Sequence, residues 1–88
     1  MPRILIAEDE PLIAAFLVKG LQSHGFSTTT TADGDSLTQL ANSQDFDLLI
    51  LDLGLPGKDG LEVLAELRGR GEWLPVLILT ARDGVTDK

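Results

Sequence analysis

Cysteine is absent from the sequence, so neither a disulfide framework nor a thiolate metal site can form. Basic charge is scarce: 7 Lys and Arg stand against 14 Asp and Glu, for a formal net charge of -7. That balance argues against direct contact with nucleic acid, which needs a basic face toward the phosphates. No apolar run approaches the ~20 residues of a membrane span. Met1 leads straight into an apolar segment with no signal-peptide layout, and with the missing cysteine this sets a cytoplasmic location as the expectation. Repeats, linkers and low-complexity segments are also missing. What remains is an ordinary globular composition, 43% hydrophobic and 24% charged, in 88 residues. A chain of that size makes one small domain and buries only about 60–65% of its unfolded surface.

The residues present alternate strand and helix signals. Arg3 to Ala7 is apolar on both faces, as in a buried strand of a parallel sheet. Pro11 suits a first helical turn, and Ile13, Phe16, Leu17, Gly20, Leu21 and His24 fall on one helical stripe that Gly25 ends. Phe26 to Thr31 is β-branched and polar, a strand expected at a sheet edge. Asp33-Gly34-Asp35 reads as a turn, followed by a short helix through Leu37, Leu40 and Ala41 to about Ser43. Leu48 to Leu51 is a purely aliphatic central strand that ends in Asp52. Residues 53–58, with two glycines and a proline, form a loop. Asp59 and Glu62 have capping-box spacing for a helix to about Arg70, with Leu61, Leu64, Ala65 and the stem of Arg68 expected to face the sheet. Trp73 is expected to pack between that helix and a fourth strand, Val76 to Thr80. The tail from Ala81 to Lys88 reads as a loop leading into the first turn of another helix, and the strict alternation predicts a doubly wound α/β sheet.

In such a sheet, chemistry gathers beyond the carboxyl ends of the strands. Those ends carry Glu8 and Asp9, then Asp52, then Thr80. Three carboxylates that close cannot all stay ionised without a positive partner. In the absence of Cys and of a nearby His, the suitable partner is a hard cation such as Mg²⁺. An aspartate can attack phosphorus to give an acyl phosphate, and phosphoryl transfer needs mainly positioning and charge neutralisation. Asp52 is the candidate nucleophile, Thr80 a hydrogen-bond donor to a phosphoryl oxygen, and Gly54 leaves room for its carbonyl to reach the metal.

The pair Glu8-Asp9, the run Leu48 to Leu53, the loop Leu55 to Gly60 and the segment Leu79-Thr80-Ala81-Arg82 together resemble the receiver domains of two-component response regulators. The wording of the last two is most similar to the OmpR/PhoB-like subfamily, whose receivers are fused to a winged-helix DNA-binding domain. The resemblance spans residues 1–88 and implies a flavodoxin-like sheet of strand order 2-1-3-4. It implies that Asp52 accepts phosphate from a sensor histidine kinase. Asp9, Asp52 and the Gly54 carbonyl would bind Mg²⁺, Glu8 would act mostly through water, and Thr80 would carry the switch.

A complete receiver continues through a further helix, strand and helix, with a lysine ending that fifth strand, and none of these positions occurs in the 88 residues. Strand 4, apolar on both faces, is then expected as an edge open to a second copy of the chain or to element exchange. Lys58 is expected to be a solvated loop residue, and His24 to sit at a helix end. Three other functions compete with this one. A haloacid-dehalogenase-type hydrolase needs an Asp where Gly54 stands. A flavin or nucleotide binder needs a phosphate loop where Glu8-Asp9-Glu10 would repel one. An inert interaction module would keep the metal site without phosphorylation.

Overall fold

A computed structural model describes residues 1–79. Four strands, β1 (Arg3–Ala7), β2 (Ser27–Thr31), β3 (Leu48–Asp52) and β4 (Val76–Leu79), alternate with three helices, α1 (Pro11–Ser23), α2 (Gly34–Leu40) and α3 (Gly60–Gly69). All pairings are parallel, in the order β2-β1-β3-β4. Each strand pair is therefore bridged by a helical crossover, as the alternation predicts. Thr80 and residues 81–88, to which the switch and the tail were assigned, lie outside the described residues.

The two-residue pleat splits the core across the sheet. Leu5, Ala7, Leu49 and Leu51 face α2 and α3, where they pack with Leu37, Ala41, Leu55, Val63, Leu67 and Leu74. Ile4, Ile6 and Ile50 face α1 and meet Leu17, Val18 and Leu21. Burial on both faces explains why β1 after Arg3 and β3 up to Asp52 are aliphatic. The polar β2 is at an edge as expected, with Thr29 and Thr30 exposed and Thr31 buried.

The helices occupy the expected segments but are rotated from the expected faces. In α1 the stripe turned to the sheet is Ala14, Leu17, Val18 and Leu21, while Phe16 is 76% exposed and Ile13, Gly20 and His24 also face solvent. Leu17 and Leu21 belong to both stripes, so periodicity alone does not choose between them. In α3, Gly60, Val63 and Leu67 are buried, Leu61 and Ala65 are exposed, and Leu64 and Arg68 are half-buried. The reason lies at the start of α3: a Cβ on Gly60 would stand 3.2 Å from the Leu53 Cα. The helix therefore touches the end of β3 with its glycine side, and every later position rotates accordingly.

Local details differ as well. Asp33 caps α2 rather than turning before it, since its Oδ1 accepts from the Ser36 N–H at 2.7 Å. The helix ends at Leu40, short of Ser43, because Asn42 accepts from the Gln44 and Asp45 amides and bends the chain. Arg70 donates to the Thr38 and Ala41 carbonyls at 2.9 and 2.8 Å, which satisfies the end of α2 from α3's side. Asp59 occupies the N-cap position of α3, yet its exposed carboxylate makes no capping bond. Trp73 is 71% exposed instead of packed, with the Arg68 guanidinium 5.4 Å from its ring centre. Lys58 is not simply solvated, because its Nζ lies 3.0 Å from Glu66 Oε1 on α3. His24 sits at the α1 terminus as expected, its Nδ1 2.9 Å from the Gly20 carbonyl oxygen.

Candidate metal centre

The register of the sheet builds the site. Ala7 pairs with Leu51, so Glu8 leaves β1 level with Asp52, the last residue of β3. The Glu8 N–H donates to the Thr31 carbonyl at 3.0 Å, which extends the pairing with β2 by one step. Glu8 is thus held in the sheet at 5% exposure, whereas Asp9, one residue further, is exposed. Asp52 is 6% exposed. One oxygen from each of Glu8, Asp9 and Asp52 lies within 4.8 Å of the others. The three carboxylates read from the strand ends are therefore brought together.

Backbone amides hold two of them. Glu8 Oε2 accepts from the Glu10 N–H at 2.9 Å, and Asp52 Oδ1 accepts from the Gly54 N–H at 3.1 Å. The sequence points to the Gly54 carbonyl, whereas the structure adds its amide as a donor that helps to fix the Asp52 carboxylate. An aspartate followed two residues later by glycine at a strand end is the sequence signal for such a turn.

Burial pushes the Glu8 carboxyl above its usual value of 4.5. The Glu10 N–H opposes that shift, and the charge and hydrogen bond of Asp52, with the charge of Asp9, add to it. Without a cation, the folded chain therefore retains on Glu8 a proton that the unfolded chain gives up. The associated stability is complete below pH 4.5 and lost as pH rises through the raised Glu8 value. We expect thermal unfolding in chelator to show this loss, and Glu8→Gln to remove it. Mg²⁺ binding needs the ionised carboxylates, so its affinity should rise with pH across the same window. A wild-type and a Glu8→Gln profile that run parallel would refute this account.

The chemistry of the cluster suits a hard cation: its donors are all oxygen, two of them are buried, and their mutual repulsion is relieved by positive charge. Glu8, Asp9 and Asp52 can therefore hold a metal ion. Thr80, the remaining candidate, lies outside the described residues.

Residues 4–88 match the family described as response regulator receiver domain. The transcriptional regulatory protein TcrA of Mycobacterium tuberculosis is 46% identical over 86 residues, covering 98% of this chain and 34% of TcrA. The chain thus spans about a third of the length of the curated relatives it matches. Among solved structures, response regulator TrrA of Thermotoga maritima in complex with Mg²⁺-BeF is similar at TM-score 0.85 and 36% identity, covering 98% of this chain and 75% of that one. A chain in the crystal structure of histidine kinase ThkA with TrrA is similar at TM-score 0.83 and 35% identity, covering 100% and 76%.

Proposed function

The chain belongs to the response regulator receiver domain family, and from that membership we propose that Asp52 is its phosphoryl acceptor. The observation that carries the proposal is the convergence of Glu8, Asp9 and Asp52 within 4.8 Å at the carboxyl edge of the sheet. Asp9, Asp52 and the Gly54 carbonyl would hold Mg²⁺ at this site, with Glu8 acting through water. When bound, it supplies the positive charge that lets an anionic phosphoryl donor approach a cluster of carboxylates.

The chain's own residues do the rest. The Gly54 N–H on Asp52 Oδ1 orients the carboxylate, which attacks phosphorus through an anionic oxygen. In transfer from a kinase phosphohistidine, the new O–P bond to Asp52 forms as the N–P bond breaks, and the imidazole leaves. Thr80, next in sequence after the Leu79 that pairs with Asp52, donates its hydroxyl to a phosphoryl oxygen and reports the change. The acyl phosphate forms and hydrolyses on the chain itself, so no separate substrate is turned over.

A sensor histidine kinase is the partner in this reading, supported by the kinase complex in which a similar chain is found. The relatives named as transcriptional regulators support residues 1–88 as the receiver part of a cytoplasmic regulator whose DNA contacts lie elsewhere. No described helix is long and apolar enough to cross a membrane. The test is the intact mass of the chain after incubation with acetyl phosphate. One added phosphoryl group with Mg²⁺, and none in chelator, supports the reading. Mg²⁺ binding without an adduct would favour the inert interaction module, and neither would remove the site.

A second copy of the chain is a further partner. Among the described residues β4 ends the sheet, and its Leu77 is 54% exposed. Pairing along that edge predicts a concentration-dependent dimer in light scattering, and a monomer throughout would dismiss it.

A further inference from the structure

Gly34 lies at the start of α2, outside the carboxylate cluster. Its backbone has no positive φ, so an alanine would fit the local conformation. The constraint is space. A Cβ on Gly34 would be driven into the carbonyl oxygen of Lys58, and would stand 2.7 Å from the Lys58 Cβ and 2.9 Å from its carbonyl carbon. Two of these three atoms are backbone, so relief requires the chain around Lys58 to move. The same residue also bonds the loop, since the Gly34 N–H donates to the Pro56 carbonyl at 3.1 Å.

Pro56 and Lys58 belong to the segment 53–59 that leaves the end of β3 and contains Gly54. That segment is gripped from two sides. On the α2 side are the Gly34 contacts and Gly57, which turns at φ 83° with its Cβ direction 3.3 Å from Asp35 Oδ2. On the α3 side are the Lys58–Glu66 ion pair and the close approach of Gly60 to Leu53. The Asp33 cap fixes where α2 begins, so Gly34 cannot retreat easily.

Resting on the acceptor reading of Asp52, we propose that Gly34 is a positioning residue for the phosphoryl and metal site. By admitting the Lys58 backbone, it sets the path of residues 53–59, and through that path the Gly54 amide on Asp52 and the Gly54 carbonyl offered to the metal. A side chain at position 34 pushes the segment outward and loosens the metal's supporting shell, a type of defect that costs metal affinity more than it costs the fold.

The test compares Gly34→Ala with wild type and with Gly20→Ala, whose Cβ meets nothing within 4 Å. The rate of phosphorylation by acetyl phosphate is measured against Mg²⁺ concentration on chains that circular dichroism shows to be folded. For Gly34→Ala the half-saturating Mg²⁺ concentration is expected to rise about ten- to a hundredfold, and for Gly20→Ala to stay unchanged. A folded Gly34→Ala chain within twofold of wild type overturns the proposal. Should that variant not fold, amide exchange on the wild-type chain decides, because coupling between two sites is reciprocal. Mg²⁺ should then slow exchange of the Gly34 N–H, and an unchanged rate overturns the proposal. A wild-type chain that takes up neither Mg²⁺ nor a phosphoryl group overturns the acceptor reading itself, and this inference with it.

Discussion

Asp52→Asn should abolish phosphoryl uptake and at the same time make the metal-free protein more stable. The asparagine Oδ1 can still accept the Gly54 N–H that Asp52 accepts at 3.1 Å, so the turn after β3 survives. What is lost is the anionic oxygen proposed to attack phosphorus, and removing a nucleophile of this kind lowers the rate at least about a thousandfold. What is gained is relief of like charge: the Glu8, Asp9 and Asp52 oxygens lie within 4.8 Å of one another, and two of these residues are buried. Neutralising one member should stabilise the metal-free fold by on the order of 1–3 kcal/mol. Intact mass with acetyl phosphate and Mg²⁺ reads the first effect, and denaturant unfolding in chelator reads the second. Uptake equal to wild type would place the acceptor elsewhere, with the sole histidine, His24, as the next group to test. Loss of both uptake and stability would mean that Asp52 is structural.

Leu5→Ala should nearly unfold the protein. Leu5 is fully buried in the middle of β1, among Leu49, Leu37 and the other residues packed between the sheet and α2 and α3. Truncation there removes the side chain's transfer free energy and leaves a cavity that a β-sheet cannot collapse to fill, a loss of about 3–5 kcal/mol. A chain of this length has roughly 4–13 kcal/mol of stability in all. The thermal midpoint should fall by roughly 15 °C or more. Phe16→Ala is the matched control: a larger side chain is removed, but from an exposed position on α1, and the change should stay within about 0.5 kcal/mol. Equal losses for the two variants would contradict the burial of β1 and the rotation of α1.

The two variants also mark what could be read from the sequence. The strands were legible because Ile4 to Ala7 and Leu48 to Leu51 are aliphatic without interruption, and the site was legible because the pair Glu8-Asp9 and Asp52 directly follow those runs. Helix rotation was less so. Leu61, Leu64 and Ala65 look as apolar as Val63 and Leu67, and the choice between them is made by Gly60 against Leu53, a contact between elements. The Lys58–Glu66 pair and the fit of Gly34 on Lys58 are likewise spatial, and no local pattern announces them. Asp59 shows the converse: its spacing to Glu62 satisfies a capping rule, and its side chain nevertheless points to water.

The all-parallel sheet also constrains how the protein is made. Arg3 pairs with Ser27, Ile4 with Leu48, and Leu49 with Val76, so no two neighbouring strands can close as a hairpin. Every pairing waits for an intervening helix to leave the ribosome, and β1, synthesised first, waits longest for β3. Until then Ile4, Leu5 and Ile6 have only the threonines of β2 beside them within the sheet, and the β3 edge of β1 stays open. Assembly dominated by such distant contacts is slow compared with that of a helical bundle. The most buried segment of the finished protein is therefore the one that spends most time unprotected during its synthesis, and the interval before β3 emerges is when a nascent chain is most open to chaperones and to misassociation.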